Sequence, residues 1–410
     1  MKKNVPKLRF PEFDGEWDVK RLGEFSEWAS GGTPSKENPN YWNGDISWIS
    51  ASSMRGMKYS KSENKITDEG LKNGSRIAIK GTLLILVRGS MLFNTIPIGI
   101  TLNDVAFNQD VKSITIDEKQ NTLYVLYWFY AHENIILNMV TGTGIGAGKL
   151  ELSDLKSLNL TLPSLPEQTK IANFLTAVDD KISQLKKKKE LLEQYKKGVM
   201  QQIFCQKLWF KDDNGADFEE WEEKRLGEIL IEHKTKNSKK KVEEVFSVAK
   251  AKGVVNQIEH LGRSYASEDT SNYKVVFPND VVYTKSPTSD FPFGIIKQNK
   301  LERTGIVSVL YGVFSPVNKN IGLLLDYYFS SWQNTYNYLN PLVQKGAKNT
   351  MNISNETFLS GAEISLPTSE LEQAKIANFL NAVNDKINHC GQEIVGMERW
   401  KKGLLQMMFV

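Results

Sequence analysis

Cysteine is nearly absent: Cys205 and Cys390 are the only two in 410 residues. That excludes a disulfide framework and a cysteine-based zinc cluster. The four histidines, His132, His233, His260 and His389, lack metal-ligand spacing. No apolar run approaches the ~20 residues of a membrane span. The opening Met1-Lys2-Lys3-Asn4-Val5-Pro6 has no apolar signal-peptide core, so a cytoplasmic protein without membrane contact is expected. Charge of one sign is missing too: 52 Lys and Arg against 48 Asp and Glu leave a net +4. Nucleic-acid binding is permitted but not demanded, and any basic surface must be local.

Catalytic signatures are also missing. There is no Gly-x-Ser-x-Gly nucleophile elbow. No Pro-Pro dipeptide occurs, which removes the Asn-Pro-Pro-Tyr-type pocket of amino-methyltransferases. Asp18-Val19-Lys20, Glu63-Asn64-Lys65 and Asp117-Glu118-Lys119 resemble the tail of a nuclease signature, but none has an upstream Pro-Asp. The run Thr141-Gly142-Thr143-Gly144-Ile145-Gly146-Ala147-Gly148-Lys149 invites a phosphate-cradle reading, yet its glycine spacing is wrong and Leu150 follows the lysine. A loop whose backbone NH groups and lysine approach a phosphate is the better expectation. The chain reads as a non-enzyme.

What is present is a repeat. Leu162-Pro163 and Glu167-Gln168-Thr169-Lys170-Ile171-Ala172-Asn173-Phe174-Leu175 return as Leu366-Pro367 and Glu372-Gln373-Ala374-Lys375-Ile376-Ala377-Asn378-Phe379-Leu380. Lys7-Leu8 and Phe10, Trp17 and Lys20-Arg21-Leu22-Gly23-Glu24 match Lys207-Leu208 and Phe210, Trp221 and Lys224-Arg225-Leu226-Gly227-Glu228. Tyr124, Trp128 and Gly142 line up with Tyr328, Trp332 and Gly346. A unit of about 204 residues is a domain plus a connector rather than a solenoid repeat. Between the anchors, residues 28–120 and 232–322 share no pattern. Fixed ends with unlike middles suggest a target with two related halves and two different recognition surfaces.

Each copy closes in a long amphipathic segment. Ile171, Leu175, Val178, Ile182, Leu185, Leu192, Val199 and Ile203 alternate in threes and fours, with Lys189 and Lys196 interrupting. Ile376, Leu380, Val383, Ile387, Cys390, Ile394, Met397, Leu404 and Met408 repeat the pattern, with Lys401 interrupting. This is coiled-coil spacing, and about 38 residues make a helix of ~57 Å. Such a helix outgrows one small domain, so each is expected to take the other as an antiparallel partner. The middles read as α/β, with short apolar β-rich runs at 46–50, 77–80, 83–88, 95–101 and 111–116, and at 243–249, 274–277, 280–284, 293–297 and 306–310. Aromatic helices are expected at 122–139 and 325–339.

Ser30-Gly31-Gly32-Thr33-Pro34-Ser35 with Tyr41-Trp42-Asn43-Gly44-Asp45-Ile46-Ser47-Trp48-Ile49 resembles the opening of a target recognition domain of type I restriction–modification specificity (S) subunits. Leu162-Pro163-Ser164-Leu165-Pro166-Glu167-Gln168-Thr169-Lys170-Ile171 resembles that family's entry to its helix. Tyr283-Thr284-Lys285-Ser286-Pro287 with Phe291-Pro292-Phe293-Gly294-Ile295-Ile296-Lys297 resembles a second recognition-domain type. The resemblance covers essentially the whole chain. It implies an α+β fold: two α/β recognition domains (1–161 and 207–365) joined by two long helices (162–206 and 366–410) in an antiparallel coiled coil with pseudo-twofold symmetry. It further implies a bipartite DNA target, an unread spacer set by the helix pair, two modification subunits that methylate adenine with S-adenosylmethionine, and two motor–nuclease subunits with ATP and magnesium. No cofactor is expected on this chain. A protein-only scaffold is the rival reading.

Base readout needs Arg, Lys, Asn or Gln on loops that enter a groove, and phosphate contacts need Lys, Arg or backbone NH groups. The candidates are Gly31, Gly32, Thr33, Ser35, Lys36, Arg55, Lys58, Arg88 and Lys149 in the first copy, and Lys250, Lys252, Arg263, Lys285, Lys297, Lys345 and Lys348 in the second. Gly31-Gly32 also fits a tight turn with positive φ.

Overall fold

The alternating apolar positions fold as two helices, Leu165–Phe204 and Glu370–Met408, in a computed structural model that describes residues 5–144, 146–288, 290–345 and 351–410. The chain is mixed α+β and divides into two units, Met1–Lys187 with Gly391–Val410, and Lys188–Cys390. Each unit thus takes the opening part of one long helix and the closing part of the other. In the first unit the helix parts run antiparallel: Lys186 Nζ meets Glu398 Oε1 at 2.7 Å and Lys401 Nζ meets Asp179 Oδ1 at 2.6 Å. Ile171, Leu175, Val178, Ile182 and Leu185 are buried, as are Ile376, Leu380, Val383, Ile387 and Cys390. Among the described residues no helix is long and apolar enough to cross a membrane.

The repeated anchors build the same frame twice. Asp18–Arg21 pairs antiparallel with Asn159–Leu162, and Glu222–Lys224 pairs antiparallel with Ile364–Leu366. In both copies the Arg of Lys-Arg-Leu-Gly-Glu donates its backbone NH to the Glu (Arg21 to Glu24 Oε2, 3.3 Å; Arg225 to Glu228 Oε1, 2.8 Å), and the Leu between them is fully buried. The Glu-Gln pair at each helix entry is buried as well. Gln168 Nε2 donates to the Pro163 carbonyl and Gln373 Nε2 to that of Pro367, both at 2.8 Å. Gln168 Oε1 accepts from the Asn121 NH (2.9 Å), and Gln373 Oε1 from Asn318 Nδ2 (3.0 Å). A buried amide must satisfy its donors and acceptors. These do so by locking the helix start onto the domain, a structural reason for the repeated motif.

The middles differ. In the first unit a five-stranded sheet has the order 26–30, 111–116, 83–86, 98–101, 58–59. Its central strand, Leu83–Leu86, is wholly buried, each such side chain contributing roughly 1.5–3 kcal/mol. A four-stranded sheet with the order 65–66, 42–49, 105–107, 76–78 adjoins it. The second unit has one four-stranded sheet, ordered 230–232, 312–316, 281–284, 295–298, and separate two-stranded ribbons 246–249/253–256 and 274–276/305–307. The aromatic helices are each broken in two. Thr122–Ala131 and Glu133–Leu137 are divided at His132, whereas Lys319–Tyr328 and Trp332–Leu339 are divided where Ser331 caps a new start. The glycine run is not an open loop: Thr141–Gly142 and Gly148–Lys149 form a hairpin.

Candidate nucleic-acid interface

One end of the first unit's five-stranded sheet gathers several loops. Gly32 NH donates to the Phe107 carbonyl (2.9 Å), Val87 NH to the Asp110 carbonyl (2.8 Å), and Leu150 NH to the Val87 carbonyl (2.9 Å). Thr33 Oγ1 donates to Gln109 Oε1 at 2.5 Å. Strand 148–149 lies beside Arg88–Gly89, so Arg88 sits opposite Lys149. Four segments are thereby fastened into one rim: 30–33, 108–112, 87–89 and the strand pair 141–142/148–149. Ser35, Lys36, Arg55 and Arg88 are exposed. Arg55 is on the loop leaving strand 42–49 at this same end, where Asn108 NH donates to the Ile49 carbonyl (3.0 Å). Lys149 is half-buried and paired with Glu151 at 2.5 Å.

Two expectations for this unit change. Gly31 and Gly32 do not hold a positive-φ turn. They are glycine because a Cβ on Gly31 would lie 2.1 Å from the Phe107 carbonyl oxygen, and one on Gly32 would lie 2.3 Å from that of Gly74. Their role is to let the Ser30–Ser35 segment lie flat on the sheet end, with Trp48 Nε1 donating to the Gly32 carbonyl (3.0 Å) and Trp42 Nε1 to that of Ser35 (3.0 Å). Lys58 is not on the rim. It lies on the far edge strand of the sheet, where its Nζ pairs with Asp180 of the long helix at 3.1 Å.

Sequence reasoning passed over Gln109 and Lys112. The signal available was a polar turn, Asn108-Gln109-Asp110, between two buried strands. Lys112 Nζ donates to Ser30 Oγ (2.7 Å) and to the Gln109 carbonyl (2.9 Å). Burial holds its ammonium below the ordinary lysine range, against the pull of Asp110.

The second unit gathers basic loops differently. Lys285 opens the 285–294 loop between strands 281–284 and 295–298. Gly294 closes it with φ +98, where a Cβ would meet the Thr284 carbonyl oxygen at 2.0 Å. Tyr283 Oη donates to the Phe293 carbonyl (2.7 Å), so the loop stands on a rigid base. Lys285 is half-buried, and its ammonium is held below the usual lysine range by burial and by Lys274, while Glu232 opposes. At the tip of the 246–256 hairpin, Lys250 pairs with Asp290 and lies 5.4 Å from the centre of the Phe291 ring, tying that hairpin to the 285–294 loop. Lys252 Nζ is 3.3 Å from His260 Nδ1. The Arg263 guanidinium stacks 4.5 Å over the exposed Tyr265 ring. Gln257 Nε2 donates to Ser247 Oγ (2.9 Å), and its Oε1 accepts from Tyr265 NH (2.6 Å), binding these loops together.

Lys297 is a correction. It is 6% exposed, and its Nζ is held by Asp326 Oδ1 (2.8 Å) and Ser330 Oγ (2.5 Å). It is enclosed because strand 295–298 is covered on both faces, so either side of the pleat is buried, and the side carrying Lys297 meets Asp326 and Ser330. Lys345 lies on strand 344–345, paired with 351–352. Lys348 lies outside the described residues. Among those described, no group of three or more metal-capable side chains occurs.

A frame used twice, carrying two unlike loop ends, defines a doubled recognition protein. A family model for the type I restriction modification DNA specificity domain matches residues 14–194 and 218–395. The chain belongs to this family of type I restriction–modification specificity subunits. The specificity subunit of the MjaIX type I restriction enzyme of Methanocaldococcus jannaschii is 30% identical over 297 residues, 67% of either chain. That of the EcoR124I/EcoR124II enzyme of Escherichia coli is 31% identical over 174 residues, 42% of this chain and 43% of that one. The S subunit of a type I system from M. genitalium shares the fold at a TM-score of 0.60 and 14% identity, covering 99% of each chain.

Proposed function

We propose that this specificity subunit reads a bipartite, asymmetric DNA sequence, one half-site per recognition domain. The observation that carries this reading is the pairing of one repeated frame with two differently built loop ends, each bearing lysine, arginine and amide side chains. Phosphate contacts from Lys36, Arg55, Arg88, Lys149, Lys250, Lys252 and Arg263 supply affinity and register, and amide or basic side chains on the braced loops read base edges. The long helices set the unread spacer. Major-groove half-sites recur every ~34 Å, and a helix pair of ~57 Å is long enough to bridge a turn. Two modification subunits, which carry S-adenosylmethionine, and two motor–nuclease subunits, which carry ATP and magnesium, dock on the chain in the cytoplasm. The chain itself performs no chemistry.

The test is the adenine-methylation motif of the host genome with and without this gene. A two-part motif that vanishes on deletion is the expected result; an unchanged motif overturns the reading. For the protein-only rival, binding of the assembled complex to duplex DNA is measured against salt. Affinity falling with a log–log slope near −0.9 per phosphate contact favours DNA recognition, and no binding at low salt favours the scaffold.

A further inference from the structure

We infer that Gln109 is a base-reading side chain of the first unit, selective for adenine, with Thr33 and Lys112 as its positioning residues. This rests on the DNA-reading function proposed above. Gln109 is exposed at the tip of the 108–110 turn, yet both its ends are held. Thr33 Oγ1 donates to its side-chain Oε1 at 2.5 Å. Lys112 Nζ donates to its main-chain carbonyl at 2.9 Å and is braced by Ser30 Oγ at 2.7 Å. The turn is closed from within by Asn108, 7% exposed, whose Oδ1 accepts from Val111 NH at 3.1 Å. Its flank is pinned by Gly31, where no side chain fits against Phe107 and Asn108.

A free surface glutamine loses rotamer entropy when it binds. This one has its amide plane fixed beforehand by Thr33, so less is lost per contact made. One lone pair of Oε1 is taken by the hydroxyl, which leaves the other lone pair and the Nε2 hydrogens for a partner. An edge that offers one donor beside one acceptor matches that pair. In the major groove this is adenine, through N6 and N7. Arg88, on the neighbouring segment of the rim, supplies the positive charge that holds a phosphate backbone nearby.

The experiment uses the full chain assembled with its modification subunit and selects bound duplexes from a random-sequence library. Wild type is expected to select two half-sites. Gln109→Ala is expected to lose discrimination at one adenine of one half-site by roughly 5- to 150-fold, with the other half-site unchanged. Thr33→Val, which removes the hydroxyl donor, is expected to relax the same position, and Thr33→Ser to restore it. A Gln109→Ala selection identical to wild type, or one weakened evenly at every position, overturns the assignment while DNA reading stands. A wild-type complex that selects no sequence overturns the underlying function instead.

Discussion

At the residue scale, equal sequence positions carry unequal electrostatics. Arg9 clamps Glu167 through Nε and Nη2, both at 2.8 Å, and Glu167 is 1% exposed. In the second copy Trp209 stands where Arg9 stands in the first, and it is exposed. Among the described residues Glu372 accepts only from Trp221 Nε1 (3.2 Å), and its buried Oε2 has no hydrogen-bond partner among them. Burial raises the Glu372 carboxyl above the ordinary range, with Trp221 opposing. A raised carboxylate pKa means that the folded state holds the proton more tightly, so stability is present at low pH and lost as pH rises through the folded value. Glu372→Gln should therefore raise the melting temperature of the full chain at pH 7–8, with the gain shrinking toward pH 4; a constant gain across that range would contradict it. Lysines divide in the same way. Lys297→Ala strips one partner from the buried Asp326 and should cost roughly 3–5 kcal/mol in denaturant unfolding. Lys285→Ala should leave stability within about 0.5 kcal/mol. Its effect should appear in DNA binding of the assembled complex, as a cost of ~1–3 kcal/mol at one base if Lys285 meets a base edge, or an even loss with a salt slope lower by about one if it meets phosphate. No change in either affinity or salt slope would remove Lys285 from the interface.

At the element scale, two of the three lysines that interrupt the apolar seam, Lys196 and Lys401, prove to be docking points, whereas Lys189 pairs with Glu193 one turn along its own helix. Lys401 pairs with Asp179 and lies 5.6 Å from the Tyr127 ring centre, while Tyr127 Oη donates to Asp179 Oδ2 at 2.8 Å. The equivalent Lys196 donates to Asn384 Oδ1 (2.8 Å) and lies 5.1 Å from the Tyr327 ring centre. Tyr124 packs on Phe409 at 5.1 Å and Tyr328 on Phe204 at 5.4 Å. Both units thus fasten an aromatic helix to the seam through the same helix positions, although the tyrosines are spaced differently: 124 and 127 against 327 and 328. Lys401→Met should destabilise by roughly 3 kcal/mol, because it strands a partly buried carboxylate. Adding Asp179→Leu should recover much of that loss, and a double mutant as unstable as the sum of the singles would show that the pair is not coupled. The periodicity made the helices legible, since it is a one-dimensional signal. It could not show whether a seam lysine was solvated or paired, because its partner lies more than 200 residues away in sequence.

At the scale of the whole molecule, the frame is shared and the middles are not, so the middles should exchange as cassettes. Replacing residues 232–322 with the matching segment of a related specificity subunit should change one half of the methylated motif and leave the other untouched, as read by methylation mapping. A change in both halves would mean that specificity is not partitioned along the chain. The frame's Glu-Gln locks at the helix entries lie outside this segment apart from Asn318, which donates to Gln373 Oε1, so the exchanged segment has to keep an amide donor at that position.

The sequence by itself determined the doubling, the two long helices and the α/β character of the middles. All of these are carried by local spacing or by direct self-similarity. It singled out Gly31 and Gly32 as a tight turn, but the glycines are required by close backbone approach, which depends on strand 105–107 and helix 68–74 arriving from elsewhere in the chain. Only the tertiary structure decided which polar side chains face outward. Cover on both faces of strand 295–298 enclosed Lys297, an edge strand carried Lys58 to the long helix, and a turn between two buried strands brought Gln109 to Thr33 across 76 residues. Composition and periodicity cannot specify such pairings, because they are fixed by hydrogen bonds between segments distant in sequence, each satisfied only when the whole sheet end is assembled.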